Sequence, residues 1–213
     1  MRTIMSFANL LSLLALLILA FIWVGCDTTS DEEEFPDPEL THVTDLPADP
    51  IVGISPEGRP IGRGLFTFHS LRENEVLTTA DSATTAWDVA FRGTDLIVNG
   101  GTTGPGNGAV QIVEGTFDEI LEAPETGWNL ATAEVPAIPP GSGNGWYNYN
   151  PATNIISPIP GRVVLVRTAD GLYAKLSVVS YYRGAPDTPT AESESRYVTF
   201  DYVLQPDGSR QFE

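Results

Sequence analysis

The 213-residue chain carries 28 Asp and Glu against 11 Lys and Arg, a formal net charge of −17, with 20 glycines, 17 prolines and a single cysteine. Such a charge repels nucleic-acid phosphates and anionic membrane surfaces, which excludes nucleic-acid binding, and a lone cysteine excludes an internal disulfide. Frequent Gly and Pro among plentiful aromatic and β-branched residues favour an all-β domain with many turns over a helical bundle.

The chain opens with Arg2 and an apolar run from Phe7 to Val24, broken by Asn9 and Ser12 and followed by Gly25-Cys26. A short positive start, an apolar stretch and a small residue describe an export signal, here residues 1–25. A thiol directly after that glycine is where bacterial lipoproteins receive their lipid, so Cys26 is the expected lipidation site and the only membrane contact. About 18 apolar residues can also span a bilayer uncleaved, and Trp23 stands where such signals prefer an aliphatic residue. Residues 26–60 read as a tether, with Asp31-Glu32-Glu33-Glu34 and prolines at 36, 38, 47, 50, 56 and 60. Like charges and prolines both favour extended chain. Acids just after a lipidated cysteine resemble a surface-export signal. The expected location is the outer membrane, lipid-anchored and facing the cell surface, with the periplasmic face as the alternative.

Residues 61–213 are predicted to form one β domain. Leu65–Leu71, Ala86–Phe91, Thr94–Asn99 and Ala109–Val113 read as strands, with Gly93 as a bend or bulge. Arg162–Thr168 and Leu172–Tyr182 form a predicted hairpin about Asp170-Gly171, a pair suited to a tight turn of primed geometry. Asp207-Gly208 suggests a second hairpin, between Arg196–Leu204 and Arg210–Phe212. Thr116-Phe117-Asp118-Glu119 fits a capping box for one short turn of helix. Two stretches lack a regular pattern: the glycine-rich Asn99–Gly108, and Pro136–Pro160, which carries Trp146, Tyr147 and Tyr149. Long loops in compact domains are often functional.

Catalytic chemistry finds little support. The two histidines are His42, in the tether, and His69, in a strand whose neighbour Ser70 faces the opposite side. Asp88 and Asp95 are a pair that a carboxylate hydrolase would need, though two acids among 28 carry little weight. No histidine pair, cysteine cluster or calcium-loop spacing marks a metal site. A binding protein, not an enzyme, is expected.

The order Ala86-Trp87-Asp88-Val89-Ala90-Phe91-Arg92, Asp95, Asn99-Gly100-Gly101 and Ala109-Val110 resumes at Gly161–Leu176 and ends with Tyr181-Tyr182 and Tyr197–Tyr202. Over residues 64–204 this resembles the HmuY-like haem-binding lipoproteins of the bacterial surface. The resemblance implies an all-β fold of antiparallel sheets whose extended finger-like hairpins pinch a flat porphyrin. It also implies haem capture and delivery to an outer-membrane receptor. Such proteins hold iron with two axial histidines or methionines. One is implied just after the Trp-Asp strand, where this chain has Arg92, and the other within Trp146–Pro160, which has no histidine. Met1 and Met5 leave with the signal. Haem iron accepts His, Met, Cys or Tyr, so the candidates are Tyr147, Tyr149 and His69, with Trp146 beside them and Arg92 or Arg162 for a propionate. Against this, the three loop aromatics are equally able to pin the loop to the sheet, and His69 to be a locally hydrogen-bonded strand residue. The alternative function keeps the fold and binds another hydrophobic ligand or a receptor.

Overall fold

The computed structural model describes residues 35–213. The predicted signal, Cys26 and the acidic run Asp31–Glu34 lie outside the described residues.

Four strands open the domain: β1 (Leu40–Pro47), β2 (Gly53–Ile54), β3 (Pro60–Ile61) and β4 (Thr67–Ser70). Then come β5 (Glu75–Leu77), β6 (Val89–Arg92), β7 (Asp95–Val98) and β8 (Ala109–Glu114). The last five are β9 (Tyr147–Asn150), β10 (Ile155–Pro158), β11 (Arg162–Arg167), β12 (Tyr173–Tyr182) and β13 (Ser195–Gln205). A large sheet takes the order β1-β13-β12-β11-β8 and a smaller one β5-β4-β6-β7, both antiparallel. Two separate hairpins, β2–β3 and β9–β10, complete the fold. Among the described residues the helical content is one 3-10 turn, Thr79–Ala83, and no helix is long and apolar enough to cross a membrane.

The two sheets share one core. Val164 and Val166 of β11, Ala174 and Leu176 of β12, and Val198 and Phe200 of β13 pack with Val89, Phe91, Leu96 and Val98 of β6 and β7. Phe91 stacks on Phe200 with ring centroids 5.4 Å apart. Behind the large sheet, Val163, Leu165 and Val203 meet Ala123 and the terminal Phe212. Behind the small sheet, Phe68 and Ala90 enclose Trp87. Burial on both faces explains why Val163-Val164-Leu165-Val166 is a continuous apolar run and not an alternating one. Each large side chain so buried contributes about 1.5–3 kcal/mol.

Several local expectations need correction. Leu40–Pro47, expected as tether, pairs with β13 at the edge of the large sheet. A bulge between Val43 and Leu46, with Asp45 at φ +52°, breaks the period-two pattern, so only those two side chains reach the core. The Asp170-Gly171 connection is a five-residue loop, because Arg167 pairs with Tyr173. Only Gly171 is left-handed there, at φ +93°, and the Thr168 hydroxyl donates to the Asp170 carboxylate at 2.5 Å. Beyond Asp207-Gly208 the chain does not return along β13. Gln211 bridges Glu122, and Phe212 N donates to Leu121 O at 2.9 Å. The capping-box bonds from Thr116 to Glu119 form at 2.8 and 3.1 Å, but they close a turn and start no helix. Gly93, at φ +56°, is neither bend nor bulge but half of a two-residue hairpin turn, since Arg92 pairs with Asp95.

Candidate ligand groove

The most distinctive sequence motif builds structure. The Asp88 carboxylate is buried and accepts hydrogen bonds from Leu71 N at 2.8 Å and Ala169 N at 3.0 Å. It thereby ties the end of β4 to the β11–β12 loop. Burial pushes its pKa up, with the two N–H donors opposing. Outside it, Arg72 forms an ion pair with Asp170. Asn99 is wholly buried: its Nδ2 donates to Thr84 O and Trp87 O at 2.9 and 2.8 Å, and its Oδ1 accepts from Gly106 N at 3.0 Å. A Cβ at Gly100 would lie 1.9 Å from Gly108 O, and one at Gly104 2.1 Å from Asn99 Oδ1. The glycine-rich loop is thus closed on itself, with no room left for a ligand.

Arg92, Trp146 and Tyr147 come together around a pocket of about 270 Å³, with Phe66, Ile138 and Pro139. Each is engaged. Arg92 pairs with Asp95 at 2.9 Å and lies 4.4 Å over the Phe66 ring. Trp146 is buried, donates from Nε1 to Thr94 O at 3.0 Å and packs on Tyr147 and Tyr181. It pins the Pro136–Pro160 segment to the small sheet. Arg162 donates to Gly145 O at 2.8 Å and ties the same segment to β11.

His69 is placed elsewhere. It is 1% exposed, its ring meets Phe200 edge-on at 5.6 Å, and neither ring nitrogen has a hydrogen-bond partner. The one local candidate for the hydrogen bond expected of it is the Asn74 side chain, which lies outside good bonding geometry. Burial pushes its pKa down to about 4, and the nearby Asn74 side chain opposes that shift. His42, on the exposed side of β1, pairs with Asp201 directly across the ladder.

Tyr149 parts company with its neighbours. It is exposed on β9, donates its hydroxyl to Asn154 Oδ1 at 2.6 Å, and lines a groove of about 710 Å³. One wall is the β2–β3 hairpin, through Ile51, Ile54 and Pro60; the other is the β9–β10 hairpin, through Tyr149 and Ile156. Tyr181 and Tyr182, with Thr190, Ala191, Glu194 and Arg196 among the residues near β13, complete its lining. A cavity of about 580 Å³ continues the groove, sharing Pro60, Ile156, Tyr181 and Arg196 with it. Through Arg92, Thr94 and Asp95 that cavity reaches the Trp146 pocket.

An ion pair holds the base of the β2–β3 hairpin. Arg196 donates to Asp49 O at 3.0 Å and faces the Asp49 carboxylate at 3.5 Å, while that carboxylate accepts from Arg63 N at 2.6 Å and Gly64 N at 3.0 Å. Both Asp49 and Arg196 are left-handed, at φ +59° and +68°. Non-glycine residues held so cost about 1–3 kcal/mol each, and they cluster at ligand clamps. Nothing in the sequence marked Asp49, Arg196 or the exposed Ile51 and Ile54. A hairpin with outward aliphatics between prolines carries no alternation to detect.

A larger-mouthed depression of about 620 Å³ lies over Leu165 behind the large sheet. Its cation, Arg210, already meets Glu122 at 2.8 Å and Glu125 at 3.1 Å, leaving no spare charge for a ligand.

The family model described as HmuY protein matches residues 65–202, more than half of the chain. This chain belongs to the HmuY family. Among solved structures it is similar to a Bacteroides vulgatus ATCC 8482 protein provisionally described as HmuY-like and heme-binding. Identity there is 17%, over 78% of this chain and 90% of that one, at a TM-score of 0.45. It is also similar to the apo HmuY analogue TFO of Tannerella forsythia, at 15% identity over 83% and 100% of the chains and a TM-score of 0.45. Apo PinO, from Porphyromonas, aligns at 17% identity over 80% and 99%, with a TM-score of 0.43. No curated protein matches the chain in sequence.

Haem is the group the HmuY family name brings to mind, and the groove can be tested against it. Its apolar walls and Arg196 suit a flat ring with acidic side chains. Its donors do not suit iron. The groove-lining residues include no His, Met or Cys; the oxygen donors of the right kind are phenols. Burial pushes Tyr181 up to about 12, against the nearby Arg196 charge, and the Tyr182 hydroxyl accepts from Ile156 N at 2.9 Å. Tyr149 spends its proton on Asn154. Each phenol is already engaged by the fold.

Proposed function

We propose that this HmuY-family chain is a surface lipoprotein, anchored through Cys26, that binds a flat amphipathic ligand of the tetrapyrrole class, haem included. The ligand lies between the β2–β3 and β9–β10 hairpins and is passed on for uptake through an outer-membrane receptor. The observation that carries this reading is the groove itself: about 710 Å³, lined by exposed Ile51, Ile54 and Tyr149 from two hairpins and by Arg196. Ligand sites typically have about 300–1,000 Å³, apolar walls and a few placed polar groups. Exposed aliphatics from one hairpin and an exposed tyrosine from the other, lining one cleft, signal an interaction surface. Arg196 supplies the charge an acidic side chain of the ring needs in a protein whose net charge otherwise repels anions.

Titration of the purified protein with ferric hemin, followed in the Soret region, tests this directly. A saturable one-to-one spectral change supports the reading. A featureless, non-saturating response removes haem as the ligand. The anchor is tested separately: in a bacterial host, Cys26→Ala abolishes fatty-acid labelling and partition into the detergent phase.

A further inference from the structure

Resting on that reading, we infer that the groove recognises the macrocycle and its carboxylates and not the central metal, so that metal-free, zinc and iron porphyrins bind alike.

The argument is one of donor chemistry. Haem iron is held by imidazole, thioether, thiolate or phenolate. From residue 35 onward the chain has no methionine and no cysteine. Of its two histidines, His69 is enclosed between the sheets and His42 is paired with Asp201 on β1; neither lines the groove. The phenols that do line it are each engaged by the protein itself. Tyr149 donates its hydroxyl at 2.6 Å to the amide oxygen of Asn154. Tyr182 is buried with its oxygen accepting a backbone N–H, and Tyr181 is buried in the Trp146 cluster.

What remains is the part of a porphyrin that does not depend on its metal. The ring offers two broad apolar faces, and the groove offers Ile54 and Tyr149, from two different hairpins, to cover them. Its carboxylates need a cation. The Arg196 bonds run to the carbonyls of Asp49 and Pro60, at 3.0 and 3.4 Å, and only loosely to the Asp49 carboxylate, at 3.5 Å. That carboxylate is already occupied by two backbone N–H groups. The Asp49 contact is the loosest of these, so a ring carboxylate can compete with it for the guanidinium, and Arg is suited to bind a carboxylate bidentately.

The experiment is a parallel titration of the purified protein with ferric, zinc and metal-free protoporphyrin IX, read by quenching of tryptophan fluorescence. The expected result is three dissociation constants within about threefold of each other. Tyr149→Ala is expected to weaken all three by the same factor, about tenfold. If ferric protoporphyrin binds at least tenfold more tightly than the metal-free ring, or if Tyr149→Ala weakens the ferric compound alone, the inference is overturned while the groove reading stands. If none of the three binds saturably, the tetrapyrrole reading falls and takes this inference with it.

Discussion

The loop that begins at Asn99 and the hairpin built on β2 and β3 are both rich in glycine and proline, and they put them to opposite uses. In the loop the glycines are packing residues: Gly100, Gly104, Gly106 and Gly108 each sit where a Cβ would fall within 3 Å of backbone or side-chain atoms. In the hairpin, Gly53 and Gly58 face open space, and only Gly62, just past β3, is packed, against Asp49. One segment is locked around a buried Asn; the other projects Ile51, Val52, Ile54 and Ile61 into solvent. The contrast shows that a recognisable motif and a binding surface need not coincide. Here the motif closes the domain, and the less patterned hairpin faces the groove.

The largest way to break that contrast is Gly100→Ala. Its Cβ would meet the carbonyl of Gly108, which is backbone and cannot swing aside. We expect a loss of about 3–5 kcal/mol, read from the shift in urea midpoint. Asp88→Ala should follow closely, because it strands the buried N–H groups of Leu71 and Ala169, each costing about 1–3 kcal/mol. A small effect from either would mean that the loop is looser than its packing requires.

The next effect is a pH dependence confined to the closed part of the molecule. His69 has its pKa pushed from 6.5 down to about 4 by burial. The unfolded chain therefore takes up a proton near pH 6.5 that the folded chain refuses until about pH 4. Stability is full above 6.5 and falls as pH drops through that window, by about 3 kcal/mol at 1.36 kcal/mol per unit. Asp88 acts in the opposite sense: its raised pKa favours the folded state at low pH and loses that contribution as pH rises through the raised value. Urea midpoints measured from pH 7.5 to 4 should thus decline, and His69→Phe should flatten the decline. An unchanged slope in the variant would show that other groups set the acid response.

How much of this could be read from the chain divides along the same line. β6, β7, β8, β11 and β12 announce themselves because their side chains are buried and apolar. β1 is hidden by its bulge, and β2–β3 because its apolar residues point outward, where no core imposes a period; β9–β10 is short, with Tyr147, Ile155 and Ile156 only partly buried against the core. Among the site residues, Trp146, Tyr147 and Tyr149 stand together in sequence, yet alternation along β9 and its approach separates a buried Trp146 from an exposed Tyr149. Arg196 and Asp49 lie 147 residues apart and meet only through the β1–β13 end of the large sheet.

Ile54→Ser sharpens the comparison from the open side. Ile54 is 62% exposed, so its removal should change stability by no more than about 0.5 kcal/mol. The same change removes one apolar wall of the groove, and hemin affinity is expected to fall about fivefold to tenfold. Equal affinity in variant and parent would move the ligand to the neighbouring cavity around Arg92.

The smallest effect expected is also the one of opposite sign. Gly53 lies in β2 with backbone angles open to any L-residue, and no atom lies within 4 Å of the place an added methyl group would take. Gly53→Ala costs nothing in the folded chain and narrows the unfolded one, a gain of about 0.4–1 kcal/mol. For a domain of this size that raises Tm by about 1–4 °C. Gly100→Ala and Gly53→Ala are the same chemical change at the two ends of the comparison, one expected to wreck the fold and one to firm it. Should Gly53→Ala instead lower Tm, the hairpin is not free in solution: its open face is packed against something, and the groove is narrower than about 710 Å³.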